Sequence, residues 1–185
     1  TTRFPAVSVI DDPTRLYRWD ETSLTGFFTD GYEYTVLAHA VDKAGNVESP
    51  EKSYAFIYDT QRPAAGITAP TDNGFVGNVS VLQGTATDEK KPAAPSDADA
   101  YESALAADGV EVTMQRLSDG QWWDGDGFDA GTQVFSKALF TPAGASSGTW
   151  SYTVPGGALT ANSTYYVVAR SVDRAGNYQV AYSTH

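Results

Sequence analysis

The sequence has no cysteine, which excludes disulfides, thiol nucleophiles and thiolate metal sites. It also lacks any apolar run of about 18 residues, so no helical membrane span is predicted. Basic residues are few: 12 Lys and Arg stand against 23 Asp and Glu, which gives a net charge of −11. Nucleic acid and anionic membrane surfaces are therefore unfavourable partners, because both require clustered basic side chains.

What the chain does contain favours β-structure. Aromatic residues make up 12% of the 185 residues, and 17 glycines and 9 prolines separate short runs rich in Val, Thr, Tyr and Phe. These side chains prefer a pleated, half-buried surface. Many short strands with turn residues between them predict an all-β sandwich or barrel.

An internal repeat organises the chain. Residues 34–46 and 165–177 match at a constant spacing of 131 positions, and each copy is an alternating strand that ends in Val-Asp-x-Ala-Gly-Asn. The pattern predicts a strand, a tight turn and a further strand, with the Asp carboxylate accepting turn amides and the Gly at positive φ. The residues singled out for this structural turn are Asp42, Gly45, Asn46, Asp173, Gly176 and Asn177.

This repeated strand and turn resemble the immunoglobulin-like domains that occur in tandem in large bacterial surface proteins and adhesins. Shorter pieces of the same pattern are the Gly-Thr-Ala-Thr-Asp at 84–88, the strand at 109–114, the Trp-Trp-Asp-Gly at 122–125 and the Asp-Thr-Gln-Arg-Pro at 59–63. The resemblance implies an exported, non-catalytic spacer, stalk or adhesive module built from β-sandwiches. It implies neighbouring immunoglobulin-like domains, of the same or another chain, as partners, and a surface polymer or protein as ligand.

The two copies differ in extent. Residues 63–185 carry early, middle and late strands and predict a near-complete domain that lacks most of its last strand. Residues 1–62 carry only the late part and predict an incomplete domain, whose missing strands we expect from another chain or from further sequence. Pro63 in the linker restricts the hinge because its ring fixes φ.

One segment departs from the β pattern. Residues 97–107 are rich in helix-forming residues, chiefly Ala, with Leu105 and Glu102, and Ser96 can cap a helix there. The sequence therefore predicts a short helical insertion near 97–107 in an otherwise all-β domain.

Two groups of carboxylates are candidate calcium ligands, since Ca²⁺ takes six to eight oxygens from flexible loops. Asp124, Asp126 and Asp129 lie in a Gly-rich stretch, but its register is wrong for an EF-hand and a hairpin is the competing interpretation. Asp59, Asp72 and Asp88 near the domain junction form the second group. We expect no cofactor, with calcium as the alternative.

Aromatic and histidine residues give the remaining candidates. Trp122 and Trp123, with Tyr17 and Trp19, could stack sugars, and this favours the alternative function of a carbohydrate- or polymer-binding module appended to an exported enzyme. Adjacent Trp residues on a strand point to opposite faces, however, so one of the pair is expected in the core. His39 is predicted to face solvent, and no catalytic arrangement can be built around it.

Overall fold

The computed structural model describes residues 26–89 and 103–184. These residues form strands and connecting turns, and the all-β prediction is confirmed. No helix in this part of the chain has the length and apolar character needed to cross a bilayer. In chain order the strands are β1 (Tyr32–Ala38), β2 (Lys52–Tyr58), β3 (Ala64–Ala69), β4 (Val81–Thr87), β5 (Leu105–Arg116), β6 (Gln121–Trp123), β7 (Phe128–Ala130), β8 (Ser136–Thr141), β9 (Ser147–Thr153), β10 (Tyr165–Asp173) and β11 (Ser183–Thr184).

The first repeat contributes a two-stranded antiparallel sheet. β1 pairs with β2 so that Tyr34 lies opposite Phe56 and Val36 opposite Tyr54. Directly opposed residues share a face, so one side of this hairpin is strongly aromatic. The Phe28 ring packs on that side, with its centroid 4.9 Å from Tyr34 and 5.3 Å from Phe56.

The second repeat forms a larger sheet with the strand order β11-β10-β5-β8-β9-β4-β3, and the β6–β7 hairpin branches from β5. β8 joins two halves of this order. Its first part pairs with β5, as Val110 opposite Ala138 shows, and its second part pairs with β9, as Phe140 opposite Trp150 shows. The order therefore folds into two layers, β3-β4-β9-β8 and β8-β5-β10-β11, as a sandwich or near-barrel.

The hydrophobic core lies between these layers. Its largest fully buried side chains include Trp150, Phe140, Leu82 and Leu105. Trp150 lies opposite Gly84 on β4, and its Nε1 donates to the carbonyl oxygen of Gly66, 3.1 Å away. The indole thus has its polar atom satisfied while its ring fills the centre of the domain.

Side chains close the sandwich where the two ends of the strand order meet. Gln179 Nε2 donates to the Ala65 carbonyl at 3.2 Å, and Ala65 N donates back to Gln179 Oε1 at 2.8 Å. Ile67 N donates to Ser183 Oγ at 3.2 Å. One glutamine amide therefore satisfies both backbone groups of Ala65 in the place of a neighbouring strand residue.

The predicted helical insertion is wrong where the structure describes it; residues 97–102 lie outside the described ranges. β5 begins at Leu105, which is fully buried and pairs with Asp173. Its N–H donates to Ala145 O and its carbonyl accepts from Gly144 N. Tertiary burial of Leu105 and these long-range bonds outweigh the local helix preference of the alanines.

Candidate functional site

The hydrogen bonds between Asp and Asn in the repeated turn are the same in both copies. Asn46 N donates to Asp42 Oδ1 and Asn177 N to Asp173 Oδ1, each at 2.8 Å. The Asn side chains donate to the other carboxylate oxygen at 2.7 Å and 2.8 Å. The backbone bonds are those of an Asp carboxylate that accepts turn amides. The Asn side-chain bonds, which the motif alone does not predict, make each Asp–Asn pair a closed clasp around its turn.

The glycine backbone angles in both turns, and the ionisation of Asp42 in the first, agree with this turn geometry. Gly45 and Gly176 have φ of 89° and 92°, which side chains disfavour. Hydrogen bonds from the side chain and backbone of Asn46 hold the pKa of Asp42 below its ordinary value. The Asp42–Asn46 clasp is therefore strongest with the Asp42 carboxylate ionised.

The two turns differ in what surrounds them. Asp42 and its neighbours are exposed, whereas Asp173 is 5% exposed. In the second repeat the other hydrogen of Asn177 Nδ2 is used as well: this atom donates to the Asp59 carbonyl at 3.0 Å. The second turn thus receives the linker that connects the repeats.

Residues of both repeats hold that linker. On one side, Asp30 Oδ1 accepts from Thr60 N at 2.6 Å, and Asp30 Oδ2 accepts from Gln61 Nε2 at 2.8 Å. On the other side, Asp59 Oδ2 accepts from Ser103 N at 2.7 Å. The linker is therefore bonded to the first repeat through Asp30 and to the second through Ser103 and Asn177.

Three buried carboxylates converge at this junction. Asp59, Asp88 and Asp173 are 7%, 1% and 5% exposed, and each offers an oxygen within 4.8 Å of the others. Among the described residues, no lysine or arginine forms an ion pair with Asp59 or Asp173. Oxygens of one Ca²⁺ shell on opposite sides of the ion lie about 5 Å apart, so this donor set has dimensions that suit a hard cation.

The junction group predicted from sequence is therefore partly different in the structure. Asp59 and Asp88 come together, but Asp72 lies apart, exposed, and accepts a hydrogen bond from Asn73. Asp173 takes its place in the cluster. The sequence marks Asp173 only as a turn residue, because nothing local indicates that its carboxylate would meet the linker.

The second predicted group lies in a hairpin. Asp124 connects β6 to β7, and its Oδ1 accepts from Asp126 N and Gly127 N, both at 2.9 Å. These backbone bonds lower the pKa of Asp124, and the negative charge of Asp124 raises the pKa of Asp129. Asp124 thus accepts two turn amides through one carboxylate oxygen, as expected for a hairpin connection.

The aromatic and histidine candidates are dispersed. Trp123 is buried in the core, where its Nε1 donates to Tyr152 Oη at 2.8 Å, and Trp122 is half-buried. Tyr17 and Trp19 lie outside the described residues. His39 is exposed, as expected, and its Nδ1 lies 3.2 Å from Glu51 Oε1. Trp123 is not available to stack on a sugar.

Comparison with known proteins gives no match: no family model, no curated protein and no solved structure resembles the chain closely enough to be recognised.

Proposed function

We propose that the chain is a non-catalytic spacer segment made of immunoglobulin-like repeats, and that it holds consecutive repeats in a fixed relation. The observation that carries this proposal is the linker, whose residues 59–61 are hydrogen-bonded to both repeats. An unrestrained linker would leave its polar groups to water and its neighbours free to move. Here the two bonds on one side of the linker would have to break before the repeats could reorient, at about 1 kcal/mol each.

The arrangement of strands supports an immunoglobulin-like identity for the second repeat. In that fold one sheet contains strands A, B, E and D and the other contains C, F and G. The layer β3-β4-β9-β8 corresponds to the first set and β5-β10-β11 to the second. The chain order of the strands also agrees with this assignment.

Tyr165, the first residue of β10, and its counterpart Tyr34 in β1 support the same identity in both repeats. Thr160 N donates to Tyr165 Oη at 2.7 Å, five residues upstream of the tyrosine. Thr29 N donates to Tyr34 Oη, also at 2.7 Å, and these residues are 131 positions earlier. A tyrosine whose hydroxyl accepts a hydrogen bond from the backbone a few residues upstream resembles the tyrosine corner of immunoglobulin-like domains.

Export to a bacterial cell surface follows from the resemblance of the repeated turn to surface-protein domains. The acidic composition and the lack of cysteine agree with a module that stays dispersed beside many copies of itself. Neighbouring repeats are the partners of first choice. The alternative of a sugar-binding accessory module has less support, because Trp123 serves the core.

The test is the distribution of distances between the repeats. Since the chain has no cysteine, Ser53→Cys on β2 and Ser147→Cys on β9 give two unique positions for spin labels. We expect a narrow distribution that broadens in Asn177→Ala, because that variant loses the bond to the linker carbonyl.

Asn46→Ala is the matched control. It removes the same side chain from the same turn, but from the copy that holds no linker. A distribution that is already broad in the parent chain, or that broadens equally in both variants, would contradict the spacer proposal.

A further inference from the structure

A row of charged side chains crosses the outer face of the layer that contains β8, β5 and β10. Lys137 lies opposite Glu111, and Glu111 lies opposite Arg170. Glu111 alternates along β5 with Val110 and Val112, which are buried in the core, so the row faces away from the core. The Glu111 carboxylate holds both cations, with Lys137 Nζ at 2.9 Å and Arg170 Nε at 2.6 Å.

Three aromatic rings surround the guanidinium of this row. The Phe135 centroid lies 3.6 Å from Arg170 Cζ, and the Tyr178 centroid lies 5.2 Å from the same atom. The Tyr182 ring meets Phe135 edge-on, with the centroids 6.3 Å apart. These four residues form the aromatic platform. Because Glu111 fixes the guanidinium on which the rings pack, the platform is ordered before any ligand binds.

Two of the three rings are open to solvent. Tyr178 is 47% and Tyr182 is 43% exposed, and the neighbouring Val180 is also exposed. Half of the Lys137 side chain is exposed at the end of the row. A tyrosine combines an apolar ring with a polar hydroxyl. The platform therefore offers apolar contact area and hydrogen-bonding groups side by side.

The first repeat has the same strand pairing without these rings. β2 pairs with β1 in the register in which β11 pairs with β10, 131 positions later. The residues at the positions of Tyr178, Arg170 and Tyr182 are Val47, His39 and Glu51. The imidazole and the carboxylate form an ion pair of their own there. The strand pairing thus does not require an aromatic platform, and the rings of the second repeat are a feature of that repeat alone.

The charges at the platform cancel. The Glu111 carboxylate first, and the charge of Asp108 after it, raise the pKa of Lys137. Two carboxylates thus offset the two cations Lys137 and Arg170. The whole chain carries a net charge of −11, which repels an anionic ligand. A ligand without charge meets no such repulsion.

We propose that the aromatic platform binds a neutral saccharide chain. The C–H face of a sugar ring packs on Tyr178 and Tyr182, because the face of an aromatic ring carries partial negative charge. The Lys137 ammonium has three N–H donors, and its exposed side donates to sugar hydroxyls. This binding is a property beyond the spacer role, and it uses none of the residues around Trp122 and Trp123.

The experiment uses the 185-residue chain and three soluble neutral hexasaccharides, of glucose, of mannose and of N-acetylglucosamine. Saturation-transfer NMR and isothermal titration measure binding. We expect saturable binding of at least one hexasaccharide, weakened about threefold to tenfold in Tyr182→Ala, the effect of one ring contact. Tyr182→Phe keeps the ring, so its affinity should stay within about twofold of the parent chain.

Tyr54→Ala is the matched control, because it removes a tyrosine that is 72% exposed on β2 of the first repeat, away from the platform. Its affinity should equal that of the parent chain. Failure of all three hexasaccharides to bind overturns the proposal. So does equal weakening by Tyr54→Ala and Tyr182→Ala, or the loss of binding in Tyr182→Phe. Tighter binding of a glucuronic acid oligomer would contradict the neutral ligand. None of these results depends on whether the distance between the repeats is fixed.

Discussion

Glu111 is a buried carboxylate with two cationic partners. Lys137 Nζ lies 2.9 Å from one of its oxygens and Arg170 Nε 2.6 Å from the other. Arg170 also lies over the Phe135 ring, 3.6 Å from its centroid. Burial alone would raise the pKa of Glu111, but the bonds from Lys137 and Arg170 outweigh it and the pKa is lowered. This site ties β5, β8 and β10 together through ionised side chains.

Glu111→Gln is therefore expected to destabilise the fold by about 1–3 kcal/mol at neutral pH, because a neutral amide cannot satisfy both cations. The folded-state pKa lies below the ordinary value of 4.5, so this stabilisation is complete above about pH 4.5 and is lost as the pH falls through the folded pKa. Urea unfolding at several pH values measures it. A gap between parent and variant that widens on acidification would contradict the prediction.

The junction carboxylates and the hairpin carboxylates are expected to differ in calcium binding. Asp59, Asp88 and Asp173 are buried and lie close together, whereas Asp124 is exposed. Asp124 and Asp173 each accept hydrogen bonds within their own turns, so burial and convergence are what distinguish the two groups. Any rise in Tm between EDTA and millimolar Ca²⁺ is expected to be lost in Asp173→Asn and kept in Asp126→Ala, because the carboxylate oxygens of the buried group converge within 4.8 Å.

Differential scanning fluorimetry and calorimetric titration of the three chains provide the measurement. Asp42→Asn is the control for the turn itself, since the same clasp is exposed there. A micromolar site that disappears in Asp126→Ala would instead assign calcium to the hairpin.

At the scale of single elements, a glycine in β4 allows the close approach of β3 and of the Trp150 ring. Gly84 alternates with outward-facing Gln83 and Thr85, so its α-carbon faces the core. A methyl group there would collide with the Gly66 carbonyl oxygen and the Trp150 ring. The glycine lets β3, β4 and the indole approach closely, which fixes the Trp150 hydrogen bond described above.

Gly84→Ala is expected to cost about 1–3 kcal/mol, because the backbone of β3 or the buried ring must shift to make room. Gly66→Ala is the matched control: its nearest neighbour would be Thr85 Oγ1 at 3.8 Å, an ordinary contact. Chemical denaturation of both variants checks the difference. Equal free energies of unfolding for Gly84→Ala and Gly66→Ala would show that the close approach at Gly84 does not determine stability.

For residues 103–107, which the structure describes, the predicted helix is wrong, and the reason belongs to the scale of single elements. Alanine-rich composition measures local preference only. Leu105 is placed by its pairing with Asp173, which is 68 positions away in the sequence, and by its burial in the core. Long-range contacts of this kind are invisible in a window of eleven residues.

At the scale of the whole molecule, one motif serves two situations. In the first repeat the Asp–Asn clasp is a solvent-exposed turn, and in the second it receives the linker and contributes Asp173 to a buried cluster. The Asp–Asn bonds are the same in both turns. The two copies therefore differ in their surroundings, because the linker and the buried carboxylates lie beside the second turn only. The junction is thus a property of two repeats together, and a single repeat would not contain it.

The sequence by itself determined the strand content, the repeat, and the acceptance of turn amides by Asp42 and Asp173, because these depend on alternation and on contacts within five residues. It also placed Asp59 and Asp88 near one junction. Only the tertiary structure decided that Asp173 joins them, that Asp72 does not, and that Asp30 holds the linker. Those outcomes depend on how distant segments pack, and side chains far apart in the sequence meet only when the layers close around a common core.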